Sequence, residues 1–369
     1  MDAVTINACL NGWKTVYDML EDEQSKDIYL NRLNWLISEK YKYIGHIVTT
    51  YLKNLQPVNE KVAAVVEAMP VDKPFVLYGA GEVGKLVFSY VKEDKRFLGF
   101  CSKTKRKQEN GYLGYPVISP EELFTRRDLS VVISTPRYME EICRILKEAR
   151  YPSNLIFNMV SHWREDDPKQ YFDLECMKYE DEEVFVDAGS FDLGSSLMLK
   201  NYCKQVKKVY AFEPDPASYA RCVKQKESTR FAEAEIFQAG TWSEEKTLGF
   251  QATGNLAAKV DISGSTSIHV IPIDQVTSSE SLQQHPIERV TFIKMDVEGS
   301  ELESLKGARQ TILRDKPKLA ICIYHKPEDM IEIPMYIKML VPEYRLYVRH
   351  YSNVDTDTVL YAVMPKQCN

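Results

Sequence analysis

The chain has 369 residues, 44% of them apolar and 27% charged, which excludes a disordered or fibrous protein and leaves room for two or three domains. With 47 Lys and Arg against 53 Asp and Glu the formal net charge is −6, a poor basis for sequence-tolerant binding of nucleic-acid phosphates. No uncharged apolar run approaches the roughly 18 residues of a membrane helix, and Met1 to Lys14 lacks the basic start and apolar core of a secretory signal. The eight cysteines (Cys9, Cys101, Cys143, Cys176, Cys203, Cys222, Cys322 and Cys368) include no C-x-x-C pair. These features predict a cytoplasmic protein with buried, reduced thiols, no disulfide framework and no zinc knuckle. They also predict no membrane insertion and no nucleic-acid partner.

Residues 1–72 read as helical. Trp13, Val16, Tyr17 and Leu20 recur at the spacing of one helix face, and Lys61 to Met69 forms an apolar-rich run behind Asn59, a cap residue. Nothing here suggests chemistry; the roles open to this segment are packing on the next domain or a homodimer contact. Residues 73–165 alternate between strand and helix signals. Phe75 to Tyr78 is a short apolar run, followed by Gly79-Ala80-Gly81-Glu82-Val83-Gly84 and a helical stretch. Phe97 to Cys101 and Ser130 to Ile133 are further strands, and Ser119-Pro120-Glu121-Glu122 starts a helix with proline in its first turn. The polar stretch His162 to Asp181 is the expected boundary. From residue 170 to 369 the alternation resumes, and the last two strands, near 345 and 358, are separated by a loop short enough for an antiparallel pair. The pattern predicts an α/β protein: two tandem doubly wound, Rossmann-like domains behind a helical segment.

The sharpest signal is the strand Val184 to Asp187 running into Ala188-Gly189-Ser190-Phe191-Asp192-Leu193-Gly194-Ser195 and then a helix. Glycine at 189 allows a sharp turn and close approach of a ligand, and the new helix presents free N–H groups. Glu213 ends the next strand; in a doubly wound sheet it neighbours the glycine loop at the ligand-binding edge. A carboxylate there can accept two ribose hydroxyls, while Asp187 can hold a cationic amine. Asp296 and Glu298 follow a further buried strand, Phe292 to Met295, and His325 ends the one after it.

These residues resemble the FkbM family of S-adenosylmethionine-dependent methyltransferases. The resemblance covers about residues 170–365 and rests on the loop from Val186 to Ser196, on Val209 to Pro216, on Phe292 to Ala308 with its Asp296-Val297-Glu298-Gly299, and on Ile321 to Pro334 with its Tyr324-His325-Lys326-Pro327. It implies a seven-stranded class I methyltransferase sheet whose last pair is antiparallel, S-adenosylmethionine as cofactor, and O-methylation of a hydroxyl on a sugar, glycan precursor or natural product. The cofactor would then be held by Asp187, Gly189, Ser190, Gly194, Glu213 and Asp296. Two departures stand out. Leu193 replaces a second glycine common in relatives. The third strand, Glu235 to Trp242, ends in Ala239-Gly240-Thr241-Trp242 without the acidic residue that often binds adenine, which leaves Gly240, Thr241 and Trp242 for that task.

The sulfonium already activates the methyl group, so the protein orients, desolvates and removes a proton. His325 is the expected base because its ordinary pKa lies near neutrality, with Asp296 second and Glu298 beside them. Glu301 reads as a carboxylate favoured at a helix N-terminus. Asp296 and Glu298 alone are too few to assign a metal.

Gly79, Gly81 and Gly84 fit the dinucleotide fingerprint in the right context, yet the acidic residue that should follow about 20 positions on is missing. Cys101-Ser102-Lys103 stands there, followed by Lys105 and Arg106, a basic run suited to a phosphate or to solvent. With Gly114 to Leu123, this segment resembles small Rossmann-like domains fused to sugar-modifying enzymes. The alternative functions are therefore an NAD(P)-dependent oxidoreductase using this domain, or a non-catalytic nucleotide or nucleotide-sugar binding protein.

Overall fold

The structure, a computed structural model, describes residues 3–52, 55, 57–135, 138–160, 169–251, 259–260, 266–277 and 288–368. The chain forms two compact units. One comprises residues 40–166 with 352–354; the other comprises residues 1–39, 167–351 and 355–369. The helical segment read over 1–72 is thus divided. Helices α1 (Ala3–Met19) and α2 (Glu23–Ser38) belong to the larger unit, and α3 (Lys42–Tyr51) and α4 (Val58–Ala68) to the smaller. Helix α4 starts behind Pro57, one residue before Asn59, so Asn59 is not its cap.

In the smaller unit five parallel strands, β1 (Phe75–Tyr78), β2 (Phe97–Cys101), β3 (Val117–Ile118), β4 (Ser130–Ile133) and β5 (Ile156–Asn158), lie in the order β3-β2-β1-β4-β5. Helices α5 (Glu82–Val91), α6 (Lys105–Asn110), α7 (Pro120–Thr125) and α8 (Met139–Glu148) connect them. Every residue of β1 and β4 is buried, as expected of central parallel strands covered on both faces.

The larger unit carries β6 (Glu182–Ala188), α9 (Gly194–Met198), β7 (Gln205–Phe212), α10 (Pro216–Thr229) and β8 (Ala234–Phe237), then β9 (Gly240–Thr241), β10 (Lys246–Gln251), β11 (Lys259–Val260), β12 (Thr266–Ile271) and α11 (Ile273–Thr277). It continues with β13 (Phe292–Met295), α12 (Glu301–Gly307), α13 (Arg309–Asp315), β14 (Lys318–Cys322), α14 (Asp329–Leu340), β15 (Arg345–His350) and β16 (Thr358–Val363). Among the described residues seven strands form one sheet in the order β15-β16-β14-β13-β6-β7-β8. Strand β16 runs antiparallel to both neighbours, and the strands from β14 to β8 pair in parallel. The expected third strand does not run on to Trp242. Strand β8 ends at Phe237, and Gly240–Thr241 pair with β12 in a separate four-stranded sheet, β11-β10-β12-β9.

Beneath the sheet Phe172, Phe185 and Phe292 pack with ring centroids 5.1 to 6.4 Å apart. Phe172, Tyr171, Leu174 and Met177 are buried in this core, so the described part of the expected boundary, from 169 onward, is structural rather than a linker. Helix α2 covers the edge strand β15. The Glu21 amide donates to the Leu346 carbonyl at 3.0 Å, and the Val348 amide to Ser25 Oγ at 2.9 Å. Free strand-edge groups that would invite pairing with another chain are satisfied in this way. Cys176 and Cys368 form a disulfide, their Cα atoms 4.6 Å apart. The expectation of reduced cysteines throughout therefore fails at this pair, which no spacing in the sequence reveals because the fold alone brings the two ends together. Among the described residues no helix is long and apolar enough to cross a membrane.

Candidate functional site

The parallel register sets the site. Lys294 pairs with Asp187 and Met295 with Ala188 across β13 and β6, and Ala188 pairs with Phe212 across β6 and β7. The residues after each strand, Gly189, Glu213 and Asp296, therefore emerge at one level, outside the carboxyl ends of the sheet, where open α/β folds hold ligands. The amides of Gly189 and Ser190 both donate to the Phe212 carbonyl at 3.0 Å, which folds the loop back over the strand tips. Gly189 has φ +78°, and a Cβ there would stand 1.8 Å from the Asp296 carbonyl oxygen. The glycine is required by the protein's own backbone at this point. Phe191 and Leu193 are also left-handed, with φ 54° and 65°, so the bend keeps its shape with leucine in the glycine place. The Leu193 side chain is fully buried. The Gly194 amide closes the turn on Asp192 Oδ1 at 2.8 Å.

Asp187 is not open to a ligand's amine. Its carboxylate is fully buried and accepts from Ser190 Oγ at 3.1 Å, Ser196 Oγ at 2.6 Å and Lys294 Nζ at 3.1 Å. The amine it holds is that of Lys294, which also donates to the carbonyl of Gly189 at 2.6 Å. Burial opposes the Lys294 charge, but Asp187 and Asp296 outweigh it and hold the ammonium above its ordinary pKa. Lysine inside an apolar strand was the signal available in the sequence, since buried lysines are paired almost without exception.

Glu213 accepts the amides of Phe191 and Asp215, both at 2.9 Å. It thereby ties the strand-two tip to the glycine bend. Burial raises its pKa; each of its oxygens keeps a further lone pair. Gly240 and Thr241 are buried, and Thr241 Oγ1 lies 2.6 Å from Ser304 Oγ. Trp242 packs on Ile268 and Val270, with Lys246 Nζ 5.1 Å from its ring centre.

The strand tips of β13 and β14 bring together a group that the sequence only partly announces. Asp296 accepts from Tyr171 Oη at 2.8 Å and Tyr324 Oη at 3.2 Å. His325 Nε2 lies 3.5 Å from Asp296 Oδ1 and 3.4 Å from Glu298 Oε2, and its Nδ1 lies 2.8 Å from Glu301 Oε1. Glu298 is left-handed, with φ 55°. Burial disfavours charge on His325, but Glu301, Asp296 and Glu298 outweigh it and push its pKa up to about 9. His325, the expected base, faces a carboxylate from each ring nitrogen. Asp296 is held below the ordinary carboxylate range, because His325, Lys294 and the two tyrosines outweigh its burial. Burial, reinforced by Asp296, pushes both tyrosines well above their ordinary pKa, so they act as donors. Glu301, read from sequence as a helix-start carboxylate, is fully buried against the imidazole. Tyr171 was missed because an isolated tyrosine carries no spacing signal, and Tyr324 stood in the quoted motif without a role of its own.

In the smaller unit the three glycines differ in role. A Cβ on Gly79 would meet the Ser134 carbonyl oxygen at 2.8 Å and one on Gly84 would meet the Gly79 oxygen at 1.9 Å, whereas a Cβ on Gly81 would meet nothing within 4 Å. The carbonyls of Ala80 and Gly81 accept from Lys107 and Tyr112. Lys103 pairs with Glu141.

A seven-stranded sheet whose penultimate position holds one reversed strand, with a glycine bend after the first strand and an acidic residue after the second, defines a class I methyltransferase fold. Residues 185–353 match the family described as Methyltransferase FkbM domain, so the larger unit carries an FkbM methyltransferase domain over that span. Solved structures similar to it include methyltransferase FkbM from Methylobacillus flagellatus KT, with 20% identity, 88% of this chain and 99% of that chain covered, and a TM-score of 0.47. Others are an rRNA methylase from Streptococcus thermophilus (17% identity, 51% and 88% covered, TM-score 0.31) and fibrillarin from Aeropyrum pernix with natively bound S-adenosyl-L-methionine (12% identity, 50% and 67% covered, TM-score 0.31). No curated protein matches the chain significantly.

Proposed function

We propose that the larger unit transfers a methyl group from S-adenosylmethionine to a hydroxyl of a sugar, glycan precursor or natural product. The observation that carries this reading is the shared level of the glycine bend, Glu213 and the Asp296–His325 group at adjacent strand tips. Glu213 would take the ribose hydroxyls and the bend would take the amino acid part of the cofactor. The acceptor would enter over Asp296, Glu298 and His325. Holding nucleophile, methyl carbon and sulfur in line is worth about 7–11 kcal/mol, against about 10²–10⁴-fold for a positioned base. Alignment therefore carries most of the acceleration.

The test supplies methyl-labelled S-adenosylmethionine to the full chain with pools of sugars, nucleotide sugars and glycan precursors. Label should appear in an alkali-stable ether, and S-adenosylhomocysteine should bind in calorimetry with an affinity that Glu213→Ala lowers at least tenfold. Absence of S-adenosylhomocysteine binding would exclude the reading. Binding without transfer to any pool would favour a non-catalytic nucleotide-binding protein. A thermal shift with NAD(P)H would favour the oxidoreductase alternative.

A further inference from the structure

The geometry points to a divalent metal site formed by Asp296, Glu298 and His325. Strand tips β13 and β14 bring one oxygen from each carboxylate and His325 Nε2 within 4.8 Å of one another. The separations from Nε2, 3.5 Å to Asp296 and 3.4 Å to Glu298, are too long for hydrogen bonds. They match the spacing of two ligands around one ion: bond lengths of about 2.1 Å at tetrahedral angles place donors about 3.4 Å apart.

A second observation is independent of the acidic cluster. The His325 side chain is only 5% exposed, yet neither Nδ1 nor Nε2 has a hydrogen-bond partner, and Nε2 is the nitrogen turned to Asp296 and Glu298. A buried polar atom without a partner is costly unless something fills the place it faces, and this one faces two carboxylates. On the other side of the ring Glu301, with a fully buried side chain, stands 2.8 Å from Nδ1. A small rotation of the ring would turn this approach into a hydrogen bond, the contact that strengthens the opposite nitrogen of a metal-binding histidine. The Tyr171 and Tyr324 hydroxyls orient Asp296 in the same way. Three carboxylates thus face a single imidazole, with Lys294 acting on Asp296 from the other side, and a dication would offset the remaining negative charge.

The donor set selects the ion. Magnesium and calcium take oxygen ligands, whereas an imidazole nitrogen beside two carboxylates suits manganese, iron or zinc. Asp296 and Glu298 are 22% and 24% exposed, so the ion would keep open positions toward solvent. Three protein ligands with an open position are the arrangement of catalytic rather than structural metals. An acceptor hydroxyl bound there would lose its proton more readily.

The experiment titrates Mn²⁺ into the EDTA-treated full chain and follows free Mn²⁺ by electron paramagnetic resonance. One ion per chain is expected, bound with a dissociation constant below about 100 µM. Glu298→Gln and His325→Ala should each weaken it at least tenfold, and Glu328→Gln, an exposed neighbour, should leave it unchanged. Near-ultraviolet circular dichroism identifies any variant that has lost its fold, and Glu298→Gln, which keeps the side-chain size, decides the matter if His325→Ala is one. Absence of binding up to 1 mM, or binding that folded Glu298→Gln leaves intact, would overturn the site. The titration uses neither cofactor nor acceptor, so its failure is separable from failure of methyl transfer.

Discussion

Gly189 and Asp296 meet so closely that a methyl group on the glycine would lie 1.8 Å from the Asp296 carbonyl oxygen. The first strand's bend and the acidic segment that follows β13 are therefore locked to each other by backbone alone. Gly189→Ala combines a left-handed φ of +78°, costing about 1–3 kcal/mol without glycine, with an overlap on main chain that has no flexible end to yield, costing about 1–3 kcal/mol more. The variant should lose several kcal/mol in urea denaturation and bind S-adenosylhomocysteine poorly. An unchanged urea midpoint would show that the bend relaxes freely.

Leu193 sets a left-handed backbone, φ 65°, against a side chain with no exposure. Leu193→Gly should recover about 1–2 kcal/mol of backbone strain. It should also lose about 2–5 kcal/mol of buried leucine and its cavity. The loss exceeds the gain, so the glycine common in relatives should destabilise this chain by about 1–3 kcal/mol. Urea denaturation of the two proteins measures it, and a more stable glycine variant would contradict the balance.

The sheet and the bend were legible because parallel strands buried on both faces read as unbroken apolar runs, and because glycine, aspartate and glutamate at strand ends mark a binding edge. Leu193 was legible as a departure, though its conformation was not. The partners of the site residues were hidden. Asp187 looked like a ligand for a cofactor's amine because sequence cannot show that Lys294, on a strand over 100 positions later, lies beside it in register. Tyr171 lay in a stretch read as a boundary, since charged neighbours outweighed its aromatic residues. Glu301 obeyed a helix-start rule that is physically sound, and that rule concealed its second contact with His325.

The Cys176–Cys368 disulfide closes a separation of 192 residues. In the chain-entropy account such a loop restricts the unfolded state by about 5 kcal/mol, an upper value because real gains fall short of it. Reductant should therefore lower the melting temperature of the wild type. Cys176→Ser with Cys368→Ser should melt at that lower temperature and ignore reductant. Equal melting of the wild type with and without reductant, together with eight titratable thiols in the unfolded chain, would show the link absent.

Two buried ion pairs at opposite ends of the sheet separate stability from function. Asp187 and Lys294 meet at 3.1 Å under the bend, and Glu183 and Lys318 meet at 2.8 Å at the other end of their strands, both side chains fully buried. Removing either lysine leaves a buried carboxylate without its countercharge, which costs about 3–5 kcal/mol. Lys294→Met and Lys318→Met should thus destabilise to similar degrees in urea. Only Lys294 also holds the Gly189 carbonyl, so only its loss should loosen the bend and weaken S-adenosylhomocysteine at least tenfold in calorimetry. Asp187→Asn added to Lys294→Met should recover part of the stability, because the unpaired charge is gone, without restoring affinity. Equal affinity losses in both lysine variants would mean that general destabilisation, rather than the bend, governs the cofactor.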